Sequence, residues 1–323
     1  DVWKLSADRL PGRADLAWAS SPCQDFSLAG GRAGLEGGRS SAFFGFWRLM
    51  EQLGREDRAP RAVVIENVSG LLSSNGGEDF TALCRALAAQ GYRFGALELD
   101  AQAFTPQSRP RVFVIAVREP PRAELTGAGP GHTRLVREAH GRLPENLAAG
   151  WIWWRGAAPA QRNAELIDIL EPDDEVAWRS EAEVGRLLSL MAPLHRARVE
   201  AARLGGGRSV GAVFRRTRME QGRRVQRAEV RFDGLAGCLR TPRGGSSRQT
   251  LLVIEQGQVR ARLLTQREGA RLMGLPDSYI LPKTATNGLH VVGDGVAAPV
   301  VRWLADQLLE PHLDSAAAVM AAE

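Results

Sequence analysis

No apolar run in the 323-residue chain approaches the twenty or so residues that a membrane-spanning helix needs, and no signal peptide is visible. Cysteine is scarce. The three residues Cys23, Cys84 and Cys238 make neither a disulfide framework nor a C-x-x-C metal site, so a reducing cytoplasm and no bound metal are expected. Lysine occurs only at Lys4 and Lys283, which leaves arginine to carry nearly all the positive charge. Genomic base composition explains such a bias, although arginine also suits bidentate contacts to phosphate and guanine. The glycine-rich segment 30–39 lacks the Gly-Lys-Ser/Thr ending of a phosphate-binding loop, so a glycine-hinged lid or a surface loop is expected there. None of the five histidines lies in a segment with the signature of a thiol-activating base, which disfavours a cysteine hydrolase. No internal repeat is evident.

What is present suffices for one large α/β unit and a smaller one. Hydrophobic residues make up 44% of the chain, enough to bury a core. The net charge of +5 is unevenly spread. Residues 196–231 hold eleven arginines and three glutamates, a plausible footprint for phosphates, whereas residues 165–183 hold eight acids and one arginine and read most simply as a solvated face.

The apolar run Leu16-Ala-Trp-Ala19 predicts a short buried strand, which puts Cys23 in the loop just past that strand's carboxyl end, where open α/β sheets place their chemistry. Pro22 stiffens this loop. Cys84 is different: with Phe80, Leu83 and Leu87 it forms the i, i+3, i+4, i+7 stripe of a core-facing helix over 79–90 that stops at Gly91. Arg61 to Val68 is a continuous apolar run ending in Glu66-Asn67, as in a buried parallel strand that delivers a carboxylate to the sheet's edge. A glutamate there is costly to desolvate unless partnered, and one kept from water is equipped to hold a proton. Strands are expected over 92–99 and 111–117. Between them lies Gln107-Ser-Arg-Pro-Arg111, in which Arg109 and Arg111 share one face of an extended chain. Trp151, Trp153 and Trp154 read as core, with base stacking the lesser role. Further on, 231–254 reads as two short strands around Gly-Gly-Ser-Ser, and Thr265 with Glu268 stands in capping-box register. The loop Val292-Gly-Asp-Gly-Val296 precedes a final helix striped by Val300, Val301, Leu304 and Leu308.

Taken in order, Pro22-Cys-Gln-Asp-Phe-Ser27, Glu66-Asn-Val68, Gln107-x-Arg109-x-Arg111, Leu275-Pro-Asp-Ser-Tyr279 and Gly293-Asp-Gly-Val296 resemble the motifs of the DNA cytosine-5 methyltransferases. The likeness covers residues 1–118 and 231–310. It implies a Rossmann-like S-adenosylmethionine-dependent methyltransferase domain with a smaller, mostly β target-recognition domain. The expected divisions are 1–118 (catalytic), 119–287 (target recognition) and a carboxyl-terminal segment, 288–323, that returns to the catalytic domain. The resemblance implies Cys23 as nucleophile, with Glu66, Arg109 and Arg111 completing the catalytic set. It further implies Asp1, Pro22, Ala42, Asp294, Gly295 and Val296 at the cofactor, and Gln24 and Ser27 at DNA. Among residues 231–254, Arg240, Arg243, Ser246 and Arg248 could donate to phosphates or base edges.

The implied partners are S-adenosylmethionine and duplex DNA, with a cognate restriction endonuclease as a further candidate, and the implied protein is a prokaryotic, nucleoid-associated monomer. Two departures stand out. The last motif has Gly293 and Gly295 where Asn and Ser are usual, and the Phe-x-Gly-x-Gly motif that cradles the cofactor's methionine does not occur. An amino-terminally truncated enzyme, or one completed by a second chain, is therefore expected, and the chain alone would bind the cofactor poorly. A domain that binds DNA without methylating it is the alternative.

Overall fold

The computed structural model describes residues 2–20, 42–162, 164–241 and 248–314. The chain divides into two compact units. One comprises Asp1–Leu99, Pro110–Ala158 and Arg302–Glu323, and the other Asp100–Arg109 and Pro159–Val301.

The first unit is built on a four-stranded sheet. Its elements are β1 (Leu16–Ser20), α1 (Ala42–Arg55), β2 (Ala62–Val68), α2 (Glu78–Ala89), β3 (Arg93–Asp100) and β4 (Pro110–Val117), followed by the short helices α3 (Arg134–Gly141) and α4 (Glu145–Ala148). The strand order is β1-β2-β4-β3. Strand β2 runs parallel to β1, with Ser20 opposite Glu66, and antiparallel to β4, with Val68 opposite Arg111. The expected parallel strand therefore has one parallel and one antiparallel neighbour.

Its apolar run is nonetheless explained by burial on both faces. Val63 and Ile65 join the cluster that holds Phe43, Leu83 and Leu87, and Val64 is equally inaccessible. β1 is less buried than its sequence suggests. It lies at the sheet's edge, and Leu16 is 37% exposed.

Helix α2 bears out its stripe, since Phe80, Leu83, Cys84 and Leu87 are all buried. The chain leaves it through Gly91 at φ 78°, a conformation that glycine adopts without strain. The tryptophans are core residues as well. Trp154 is 1% exposed and its indole donates to the Ile115 carbonyl at 3.1 Å, while Trp151 packs edge-on to Phe80 and Phe94.

The second unit carries α5 (Glu181–Ser189), α6 (Pro193–Leu204), β5 (Ser209–Glu220), β6 (Arg223–Arg231), β7 (Thr250–Glu255), β8 (Gln258–Leu263), α7 (Gln266–Leu272) and α8 (Ala285–Asp294). The last helix, α9 (Ala298–Leu304), begins here and crosses into the first unit. The antiparallel sheet has the order β6-β5-β7-β8, and Val213, Val230, Leu252 and Ala261 pack against Val184, Leu187 and Val199 of α5 and α6.

Two expectations fail in this unit. Of the two strands expected in 231–254 only β7 forms. Residues 232–241 instead run irregularly, because Ala236 spends its backbone on Pro106 and Ser108. Of the loop expected before α9, Val292, Gly293 and Asp294 instead end helix α8, leaving residues 295–297 as the link; the helix is capped by the Thr284 side chain accepting from the Asn287 N–H. Gly293 is required within it, since a Cβ there would stand 2.7 Å from the Thr241 nitrogen.

The acidic stretch is also more than a solvated face. Asp173 binds Arg208 at 2.7 Å and Arg260 at 2.5 Å, which holds its carboxyl at about 2, well below the usual range. The capping box expected at Thr265 and Glu268 is present.

Candidate active site

The sheet of the first unit brings three chain segments to one edge. Because β1 and β2 are parallel, their carboxyl ends lie side by side, and because β4 is antiparallel to β2, its first residues lie there too. Glu66 and Arg111 meet at that edge. Arg111 Nε stands 3.0 Å from Glu66 Oε1, with the two side chains 15% and 9% exposed. Arg111 also donates from Nη1 to the Pro110 carbonyl at 2.8 Å. Asn67 beside them is buried, and its Oδ1 accepts from the Val68 N–H. A carboxylate and a guanidinium so paired can be kept largely out of water at a strand end at tolerable cost.

The chain leaves β1 at Ser20, opposite Glu66, and Cys23 lies three residues further on. Cys23, Pro22, Gln24, Ser27 and the glycine-rich segment 30–39 lie outside the described residues. Of the other thiols, Cys84 is fully buried, and desolvation pushes it far above its ordinary value, so it is inert. Cys238 lies 3.5 Å from Arg109 Nη1.

Arg109 belongs to the second unit. Its guanidinium donates to the carbonyls of Leu239 at 2.9 Å, Gly293 at 3.2 Å and Gly295 at 2.7 Å. Within its own unit the side chain therefore ties together three backbone carbonyls. Gln107, fully buried, links two further backbone groups, donating to the Leu272 carbonyl and accepting from the Leu239 N–H, both at 3.0 Å. The sequence marked Gln107 as part of a motif but gave no sign of this clamp, whose partners lie more than a hundred positions away.

For the cofactor, Asp1 and Pro22 also lie outside the described residues. Ala42 is the exposed first residue of α1. Asp294 is exposed and accepts from Thr241 Oγ1 at 3.2 Å, Gly295 gives its carbonyl to Arg109, and Val296 is half-buried. None of these described residues presents an unsatisfied buried polar atom. A Cβ added to Gly295 would meet the Val291 carbonyl at 3.2 Å, which is no cradle for a ligand. By themselves they do not fit the cofactor.

Of the residues nominated for DNA, Arg243 and Ser246 lie outside the described residues and Arg240 is exposed. Arg248 lines a groove of about 720 Å³ together with Arg267, Tyr279 and Lys283. Several arginines of the basic block are already engaged, among them Arg203 with Glu200, Arg227 with Glu220, and Arg216 and Arg218 with Glu229. Among the described residues no helix is long and apolar enough to cross a membrane.

The family model of the C-5 cytosine-specific DNA methylases matches residues 1–310. The chain belongs to that family. Its enzyme class is accordingly DNA (cytosine-5-)-methyltransferase, in a family that depends on S-adenosylmethionine.

Among curated relatives of this methylase, the type II methyltransferase M.DsaV of Dactylococcopsis salina is 25% identical over 311 residues, covering 96% of this chain and 72% of its own. M.HhaI of Haemophilus parahaemolyticus is 24% identical over 94% of this chain and 78% of its own. The orphan methyltransferase M.SPRI of Bacillus phage SPR is 35% identical over 120 residues, 37% of this chain and only 26% of that protein. Among solved structures, the S. pombe Dnmt2 methyltransferase aligns with a TM-score of 0.56 at 18% identity, over 96% of this chain and 83% of that one. That likeness bears out the Rossmann-like α/β fold with an additional sheet.

Proposed function

We propose that this chain methylates C5 of a cytosine turned out of a specific duplex DNA site, through a covalent bond between Cys23 and C6. The observation that carries the proposal is the Glu66–Arg111 pair at the sheet edge beside the end of β1, three residues short of Cys23.

Cytosine C5 is too weakly nucleophilic to accept a methyl group unaided, so electron density must first be pushed into the ring. In this reading the Cys23 thiolate bonds to C6 while Glu66 gives a proton or hydrogen bond to N3 and bonds the exocyclic amine. Arg111 holds O2 and offsets the charge that gathers on the ring. S-adenosylmethionine, the family's donor, would supply the methyl group when bound. Loss of the C5 proton to a base then re-forms the C5–C6 double bond and expels the thiolate. A base inside a duplex is out of reach of such a site, which is why it must be flipped out. Arg109 acts by positioning, through the carbonyls it holds, rather than by touching the base.

The type II and orphan names of the relatives support a prokaryotic modification enzyme, with or without a restriction partner. The function is tested by bisulfite sequencing of DNA from cells expressing the chain joined to a Phe-x-Gly-x-Gly segment. Protected cytosines in one sequence context are expected, and they should vanish in Cys23→Ala. Protected cytosines that survive the substitution would reject Cys23 as nucleophile.

A further inference from the structure

Strands β5 and β6 are longer than the sheet they belong to. β5 pairs with β7 only over Ser209–Val213, yet it continues pairing with β6 as far as Glu220 opposite Arg223. The outer half of β5 thus forms a two-stranded ribbon with β6, its only sheet neighbour among the described residues, closed by Gln221 and Gly222 at φ 50° and 75°. Two successive positive φ values are those of the tight type I′ turn, whose twist matches the strands it joins.

Side chains alternate between the ribbon's faces, and residues directly opposite each other share one. On one face lie Arg216, Arg218, Arg223 and Arg227, and Glu220 and Glu229 pair with three of them, Arg216, Arg218 and Arg227. On the other lie Arg215, Thr217, Met219, Arg224 and Gln226, all exposed, with no acid among them. Among the described residues neither Arg215 nor Arg224 has an ion-pair partner, and Met219 is 66% exposed. Further in, the same face is core, through Val213, Ala228 and Val230. One strand pair therefore carries a face on which carboxylates engage three of four arginines and a face that has no carboxylate for either of its two.

We propose that the outer half of this ribbon is a DNA-contacting arm, which grips phosphates of the substrate duplex through Arg215 and Arg224, with Thr217 and Gln226 as neutral donors between them. The proposal rests on the reading of the chain as a DNA methylase. A two-stranded ribbon is of a width that enters or straddles the major groove, and arginines held on a rigid strand pair lose less freedom on binding than arginines in a loop. The ion pairs of the opposite face stiffen the arm and commit Arg216, Arg218 and Arg227 to carboxylates, which leaves those guanidinium groups less available to a polyanion.

The test compares the wild-type chain, joined to a Phe-x-Gly-x-Gly segment as above, with R215Q/R224Q and R216Q/R218Q variants of the same protein, the second of which removes the same charge from the paired face. Binding of each to a duplex carrying the methylated site is followed by fluorescence anisotropy between 50 and 200 mM salt. Every phosphate no longer neutralised by an arginine should make the slope of log affinity against log salt shallower by about 0.9. R215Q/R224Q should therefore lose about two units of slope and bind at least about tenfold more weakly at 50 mM salt. R216Q/R218Q should lose less than half as much. Circular dichroism and melting of both variants should match the wild type, because the replaced side chains are exposed.

Wild-type protein that methylates and binds DNA, beside an R215Q/R224Q variant with unchanged slope or with a loss no larger than that of R216Q/R218Q, overturns the arm alone. Wild-type protein that neither methylates nor binds duplex overturns the parent reading, and the arm with it.

Discussion

Two arginine–glutamate pairs, one in each unit, are built from the same groups and differ in their exposure to water. Arg262 and Glu268 are both 0% exposed, with Nη1 2.8 Å from Oε2. Glu268 also accepts from the backbone N–H groups of Glu171 and Thr265, both at 2.9 Å, and the Arg262 guanidinium lies 5.5 Å from the Trp178 ring. That carboxylate is saturated and sealed. The Glu66–Arg111 pair keeps 9% and 15% exposure at a strand edge. The comparison teaches that an ion pair is a fixture of the fold when every acceptor position is met from within, and a candidate for chemistry when it stands at a sheet's functional edge within reach of solvent.

The sharpest way to break the comparison is to remove one carboxylate from each pair. Glu66→Gln should lower the methylation kcat by about 10²- to 10⁴-fold, the ordinary worth of a positioned acid, with far less effect on the melting temperature. Glu268→Gln should do the reverse. It leaves Arg262 buried without its counter-charge and should cost about 3–5 kcal/mol in urea unfolding, with the activity per folded molecule kept. If Glu268→Gln proved as damaging to kcat in folded protein as Glu66→Gln, the distinction would be lost.

A smaller effect is expected at Asp173, whose carboxyl is held low by Arg208 and Arg260. A carboxyl lowered in the folded state contributes stability above its unfolded value near 4, and loses it as the pH falls through about 2. Asp173→Asn should therefore lower the melting temperature by a few degrees at neutral pH and low salt. The difference should shrink as the pH falls from about 4 towards 2 and as salt screens the pair. A gap that widened in acid would contradict the assigned cause.

The two pairs were unequally legible in the sequence. Glu66 could be read because an apolar run ends on it, and Arg111 because it opens the next strand. Their meeting needed only the antiparallel pairing of β2 with β4. At Glu268 only the local half was visible, as a capping box with Thr265. Nothing local announces that Arg262 fills the rest of the site.

The same division runs through the fold. The stripe and terminator of α2 are local properties, and they were read. Helix α8 was missed, its end being read as part of the loop before the final helix, whereas Gly293 is imposed by the backbone at Thr241, some fifty residues earlier. Residues 231–254 were read as two strands around Gly-Gly-Ser-Ser, but before that loop Ala236 takes its hydrogen bonds from Pro106 and Ser108. The paired and unpaired faces of the basic ribbon are likewise set by cross-strand register, which composition alone does not carry.

The central claim is that a thiolate three residues past β1 attacks a cytosine held by Glu66 and Arg111. The most direct measurement offers the chain, joined to a Phe-x-Gly-x-Gly segment, a duplex in which the target base is 5-fluorocytosine, with S-adenosylmethionine present. Fluorine at C5 cannot leave as a proton, so the covalent adduct should persist through denaturation. Peptide mapping by mass spectrometry should then find the nucleotide on Cys23. An adduct mapped to Cys84 or Cys238, or methylation of ordinary cytosine with no adduct on the fluorinated base, would contradict the account.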